Sequence, residues 1–205
     1  MKRYDCLELL ASHVDEEMIT VTCLTSTFNM WRALRKGGPS FYNLNLGLCL
    51  PFAVGLSVAF PARKVIALDA DGSLMIDASS LILTAQVNPA NLVALVFDNQ
   101  SYARMGETAT AGGTDLEAMA RGAGIKHTAT VRTLEEFRAV VPEALQSAGP
   151  SFFVAKVEPG ERFKNPTPPP TARGMKDTFV QAITRLPDYQ GVRYGTPLPG
   201  VPQGE

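Results

Sequence analysis

Short runs of Val, Ile, Leu and Phe alternate with helix-length segments along this chain, and that alternation restricts the fold more than any other feature. Apolar runs without a polar residue at every second position suit strands buried on both faces. Such strands occur in parallel sheets flanked by helices. The expected fold is therefore α/β, a parallel sheet of about five to six strands with helices on both faces. Strands are expected over Met18–Cys23, Lys64–Asp69, Asn91–Phe97, Lys126–Thr130 and Phe152–Val157, with helices in the gaps. Residues 4–13, 28–35, 48–60, 73–87 and 133–147 are the helices with definable bounds. Pro51 fits only the first turn of its helix. Thr133 and Glu136 have the spacing of a capping box, whereas Pro142 argues for a break in the last of these helices.

A chain of 205 residues buries a core as one domain without disulfide or metal staples. Lys and Arg number 19 against 20 Asp and Glu, and neither sign forms a block, so neither nucleic acid nor an anionic membrane is expected as a partner. The basic start of MKRYDCLELL is interrupted by Asp5 and Glu8 before any signal-peptide core, and no later segment reads as a membrane span. Cys6, Cys23 and Cys49 lack the paired spacing of zinc or iron–sulfur sites; they read as small buried thiols of a cytoplasmic protein. From Phe163 the composition changes. Pro166, Pro168, Pro169 and Pro170, and later a Pro/Gly cluster from Pro197, remove backbone donors. The expected organisation is a domain over 1–162 and a Pro/Gly-rich C-terminal arm over 163–205 with one helix near 174–185, the arm either wrapping a neighbouring subunit or trailing free.

The segment LDADGSLMIDASSLILTAQVNPANLVALVFDNQSY carries the chemistry. Two apolar strands in it each end in an acidic or amide residue followed by small or polar residues. In doubly wound sheets ligands bind at the carboxyl ends of strands, where helix N-termini and loop amides converge. Asp71 offers an anionic oxygen, Asn99 an amide oxygen and a loop carbonyl near Ser101 a third. Such a hard oxygen set suits Mg²⁺ bridging a diphosphate. Gly72 permits close approach of the backbone, and Ser73 presents a hydroxyl and an N–H at the start of the next helix.

This pattern resembles the thiamine-diphosphate enzyme family, which carries G-D-G, a spacer of similar length, then N-N. Here Ala70-Asp71-Gly72 is followed by 25 residues and Asp98-Asn99, with departures at Ala70 and Asp98. Upstream, LPFAVGLSVAFPARKVIALDADGS looks like the matching stretch of acetolactate synthases and related decarboxylases, without gaps. The likeness spans about residues 5–158. It implies that Asp71, Asn99 and Ser101 hold the metal, and that Ala70, Gly72, Ser73 and Tyr102 adjoin the cofactor. It further implies that Leu46 props the cofactor into a bent shape and that the Leu44 carbonyl accepts from its aminopyrimidine. Thr25, Ser26 and Thr27 correspond to the family's diphosphate loop, although the Gly-Gln-His common there is missing.

The resemblance also implies thiamine diphosphate and Mg²⁺ as cofactors and a small 2-oxo acid as substrate. The family's activating glutamate lies on a separate pyrimidine-binding domain, for which this chain has no room. No catalytic residue is therefore assigned to it. The chain resembles the β-type subunit of a split 2-oxo acid decarboxylase of the sulfopyruvate and phosphonopyruvate decarboxylase group. That implies a pyrimidine-domain α-type partner, self-association to at least a dimer, and an α₂β₂ complex. Residues 101–115, rich in Gly and Thr, are expected to form a mobile loop beside the pocket, on which Arg104 would either reach a substrate anion or stand solvated. His13, His127 and Trp31 are assigned no chemistry. Alternatives are an acetolactate-synthase-like carboligase subunit, a non-catalytic regulatory subunit that keeps the fold, and a nucleotide-binding module, for which no Gly-rich phosphate loop is present.

Overall fold

The computed structural model describes residues 1–24, 26–35, 37–161, 163–165, 167–189 and 191. Six strands, β1 (Ile19–Cys23), β2 (Ser40–Leu44), β3 (Val65–Ala70), β4 (Leu92–Asp98), β5 (His127–Val131) and β6 (Ser151–Lys156), pair in parallel in the order β2-β1-β3-β4-β6-β5. Helices α1 (Arg3–Ala11), α2 (Ser26–Leu34) and α7 (Leu134–Gln146) cover one face. Helices α3 (Cys49–Ala59), α4 (Asp71–Ile76), α5 (Ser80–Val87), α6 (Leu116–Ala123) and α8 (Ala172–Thr184) cover the other. The two-sided burial inferred from the unbroken apolar runs is explicit in the cores. Val65, Ala67, Leu92, Ala94 and Val96 enter one core, and Ile66, Leu68, Val93, Leu95 and Phe97 the other. Each such Val, Leu, Ile or Phe side chain contributes roughly 1.5–3 kcal/mol by leaving water. Among the described residues no helix is long and apolar enough to cross a membrane.

Several boundaries differ from the sequence reading for physical reasons. Strand β2 is missing from it because Ser40–Leu44 is a half-buried edge strand of mixed polarity, whose pairing with β1 shifts register near Cys23 and whose Asn43 has φ 62°. The helix expected over 73–87 is two helices. Asp77 leaves the helical region at φ −132°, ψ 67°, and its carbonyl accepts from Ser80 N at 3.2 Å and Ser80 Oγ at 2.6 Å, which starts α5. Pro142 does not break α7, which runs unbroken with its Thr133–Glu136 capping box in place. Burial of Phe137, Val141 and Ala144 along one face holds that helix together through the lost hydrogen bond. Cys6, Cys23 and Cys49 are buried free thiols, and burial pushes the Cys6 thiol up to about 12.

The described part of the arm folds back on its own chain rather than reaching outward. Phe179 of α8 is buried against Phe41 and Phe52, with ring centroids 5.1 and 6.4 Å away. Beyond α8, Tyr189 stacks on Phe60, and Asp188 accepts from Arg63 Nε at 2.6 Å. Pro166 and the cluster from Pro197 lie outside the described residues.

The chain runs from β1 outward to β2, then crosses back to β3 on the other side of β1. The crevice above the carboxyl ends of β1 and β3 is thus a topological switch point, the position at which open α/β sheets bind ligands.

Candidate functional site

Strand β3 leads into this edge, where two polar side chains, those of Asp71 and Ser73, follow its last residue. Ala70, its last residue, is extended at φ −133°, ψ 155°, a conformation any residue adopts, so alanine satisfies the backbone where the family pattern has glycine. Asp71 then opens α4 and is buried together with Gly72 and Ser73. The N–H of Gly47 donates to Ser73 Oγ at 3.2 Å, which ties the turn carrying half-buried Leu46 to α4. The carbonyl of half-buried Leu44 accepts from Leu24 N at 2.9 Å, leaving one lone pair for a second donor. Gly72 is required sterically: a Cβ there would stand 2.2 Å from Tyr102 Cε1, and the Tyr102 hydroxyl donates to the Gly72 carbonyl at 3.1 Å.

Strand β4, adjacent to β3, ends at Asp98, and Asn99 follows it. Asn99 Oδ1 accepts from Ser101 N at 3.2 Å, so the amide oxygen is oriented by its own loop. Ser101 Oγ accepts from Ala103 N at 3.0 Å, and Gln100, between them, has φ 59°. A 3₁₀ turn over Ala103–Met105 carries the backbone of Arg104, whose side chain lies outside the described residues, as does Thr25. At α2, Ser26 is half-buried and Thr27 fully buried; Thr27 Oγ1 has no nitrogen or oxygen partner among the described residues, and its hydroxyl sits beside the Cys23 thiol.

Residues 101–115, expected from composition to form a mobile loop beside the pocket, are irregular but tied by internal hydrogen bonds. The segment doubles back, with Tyr102 N donating to Gly106 O at 2.8 Å and Thr108 N to Gln100 O at 3.1 Å. This inserts Thr108 and Thr110 into the site, each only 3% exposed. Thr108 Oγ1 donates to Asp71 Oδ2 at 2.6 Å, Thr110 Oγ1 donates to Asp98 Oδ1 at 2.8 Å, and the two hydroxyls are 2.8 Å apart. Lys156, at the end of β6, forms an ion pair with Asp98 Oδ2. None of the three was singled out from sequence. The available signals were the alternation Thr108-Ala109-Thr110 and a lysine at the carboxyl end of an apolar strand.

Burial sets the electrostatics. The Asp71 carboxyl is raised above the usual carboxylate range by desolvation, with Asp98 adding repulsion and the Thr108 hydroxyl opposing both. Asp69 is wholly buried and its carboxyl is pushed up to about 6, again chiefly by desolvation. Its Oδ1 accepts from Ala70 N at 2.9 Å, whereas Oδ2 lacks a hydrogen-bond partner among the described residues. One carboxylate, one amide oxygen and nearby loop carbonyls are a fitting donor set for Mg²⁺. The Thr27 hydroxyl at a helix start, without a nitrogen or oxygen partner among the described residues, and the side-chain-free Gly72 fit a diphosphate in the same crevice. His127 is exposed at the amino end of β5, away from this edge, and Trp31 is buried with its indole N–H on Thr20 Oγ1 at 3.0 Å.

The family described as thiamine pyrophosphate enzyme, C-terminal TPP binding domain, matches residues 21–155. Sulfopyruvate decarboxylase subunit beta of Methanocaldococcus jannaschii is 31% identical over 188 residues, which cover 90% of this chain and 98% of that protein. Phosphonopyruvate decarboxylase of Streptomyces hygroscopicus is 32% identical over 160 residues, covering 77% of this chain but 40% of that one. Among solved structures, a thiamin diphosphate-dependent enzyme from Mycobacterium smegmatis superposes with a TM-score of 0.68 at 25% identity, over 78% of this chain and 32% of that one. Benzoylformate decarboxylase from Polynucleobacter necessarius shares the fold, with a TM-score of 0.66 at 23% identity over 77% of this chain and 33% of its own. The chain thus spans about a third of the solved proteins it matches and nearly the whole of a subunit.

Proposed function

Because this chain belongs to the thiamine pyrophosphate enzymes, whose C-terminal TPP-binding domain matches residues 21–155, we propose that it is the diphosphate- and Mg²⁺-binding β-type subunit of a split 2-oxo acid decarboxylase. The observation that carries this reading is that the Asp71 carboxylate and the Asn99 amide follow the carboxyl ends of the adjacent strands β3 and β4, of which β3 borders the switch point. In this reading Asp71, Asn99 and a carbonyl near Ser101 hold Mg²⁺. Ser73, Thr27 and Ser26, with Thr25 beside them, donate to the diphosphate, and Ala70, Gly72 and Tyr102 form the adjoining wall. Leu46 supports the bent cofactor, the Leu44 carbonyl receives its aminopyrimidine N–H, and Arg104 meets the substrate anion. When bound, thiamine diphosphate would supply a nucleophilic thiazolium carbon for a keto group and a cationic ring able to hold the electron pair left behind by departing CO₂. The residues of this chain bind and orient it, and exclude water from the crevice.

The activating carboxylate belongs, on this reading, to a pyrimidine-domain partner. Near-complete coverage of a protein named as a β subunit supports that assignment, as do the exposed Leu48, Ile76, Ile82 and Leu83 on and between the helices bordering the site. Residues 1–162 are the binding domain and 163–205 its arm, and the working assembly is α₂β₂.

Calorimetric titration of thiamine diphosphate tests the metal assignment. The wild-type chain is expected to bind it only when Mg²⁺ is present, and more tightly with the partner subunit added. Asp71→Ala is expected to abolish the Mg²⁺-dependent heat while the circular dichroism spectrum stays unchanged. Equal binding by Asp71→Ala and wild type would remove Asp71 from the site.

A further inference from the structure

Asp98 stands immediately before Asn99, and its side chain is fully buried. A buried carboxylate is strongly unfavourable without a cationic partner. The sheet supplies one: in the β4–β6 register Asp98 is paired with Lys156, and Val157 N donates to the Asp98 carbonyl at 2.9 Å. Register partners on neighbouring parallel strands project from the same face, so the pairing itself sets Lys156 Nζ on Asp98 Oδ2.

The contact continues to Asp71. Thr110 Oγ1 lies 2.8 Å from Asp98 Oδ1 and 3.3 Å from Asp71 Oδ2, while Thr108 Oγ1 lies 2.6 Å from Asp71 Oδ2 and 2.8 Å from Thr110 Oγ1. These four oxygen–oxygen contacts share only the two hydroxyl protons of Thr108 and Thr110. Two carboxylates are therefore held together by too few protons, and the ammonium group of Lys156 makes up the deficit. We propose that Lys156 is a positioning residue of this site: it holds Asp98 away from the metal position, leaving Asp71 as the one carboxylate offered to a divalent cation, and through Thr110 and Thr108 it fixes the orientation of Asp71. This rests on the metal reading of Asp71 and Asn99 given above.

The test uses Mn²⁺ alone as probe, without thiamine diphosphate, followed by electron paramagnetic resonance, and the thermal midpoint in EDTA followed by Trp31 fluorescence. Lys156→Met is expected to bind Mn²⁺ about fivefold or more tightly at low ionic strength, because the cation then takes the place of the ammonium as the partner of Asp98, and in EDTA to melt below the wild type. Asp98→Asn/Lys156→Met is expected to return both quantities close to the wild-type values, and Lys156→Arg to retain them. Wild-type affinity and midpoint in Lys156→Met would overturn the proposal, as would a double variant that remains as altered as Lys156→Met. Should Lys156→Met not fold, folding of the double variant is the expected rescue, and its failure to fold would show that Lys156 serves something other than Asp98. Absence of Mn²⁺ binding by the wild type would instead remove the metal reading, while the midpoints still decide whether Asp98 and Lys156 act as a pair.

Discussion

Asp69 shows how a single buried group shapes stability next to the site. Its carboxyl is pushed up to about 6 against an ordinary 3.8, by burial, so the folded protein holds a proton there that the unfolded chain releases. Below about pH 4 both states are protonated and Asp69 imposes no penalty. As pH rises from about 4 to 6, folding loses stability by about 3 kcal/mol, and above 6 the loss is complete. Asp69→Asn removes the titration while keeping an oxygen for Ala70 N. Urea midpoints in EDTA should show the variant's advantage growing from near zero at low pH to about that value at neutral pH. A gap that does not change with pH would place the cause elsewhere. The position of Asp71, Gly72, Ser73 and Asn99 beyond the ends of two neighbouring strands was legible in the sequence, because each group directly follows an apolar run. Thr108, Thr110 and Lys156 were not, since they reach Asp71 and Asp98 from 37, 12 and 58 residues away in sequence, through a loop reversal and a strand register.

At the scale of elements, apolar run length located every interior strand, because β1, β3, β4 and β6 are buried on both faces. It also found the edge strand β5 but failed at the opposite edge, where β2 carries an irregular mixture of exposed and buried positions, and at Asp77, where a local turn rather than a change in hydrophobicity divides α4 from α5. The arm is the third case. Its composition led to the expectation of one helix near 174–185 but not to where α8 docks, which depends on Phe41, on that unrecognised edge strand, and on Phe52 of α3. Phe179→Ala deletes the ring that fills this contact, a change worth about 3–5 kcal/mol in a well-packed core. Because α8 is peripheral, the expected result is local release of the arm rather than global unfolding. Limited proteolysis should then cut between α8 and the domain faster than in the wild type, leaving a resistant sheet domain. Unchanged cleavage would mean that Tyr189 on Phe60 and the Arg63–Asp188 pair suffice to hold the arm.

At the scale of the whole molecule, the sheet offers one wall of a crevice. The solved relatives are about three times as long as the part of them this chain matches, and a subunit relative is matched almost end to end. A cofactor held by one wall leaves part of its surface in water, so binding to this chain alone is expected to be measurable but weak, and to tighten when a partner covers the remainder. Ligand that binds only the folded state stabilises it by about 2.7 kcal/mol at a hundredfold excess over Kd. For a domain of this size that corresponds to a rise of roughly 5–10 °C in the thermal midpoint. Trp31, the chain's one tryptophan, is buried against the sheet and reports unfolding without touching the crevice. Thiamine diphosphate alone should leave the midpoint nearly unmoved, because the diphosphate and Asp71 repel each other without the cation, and Mg²⁺ alone should raise it only slightly, because Asp71 and Asn99 hold the cation weakly until the diphosphate completes its ligands. Both together should raise it, by more at the same concentrations once the partner subunit is present. A rise with thiamine diphosphate alone would remove the metal bridge from the proposed site; a rise that the partner fails to enlarge would mean that this chain holds the cofactor unaided, and the split-enzyme reading would fall.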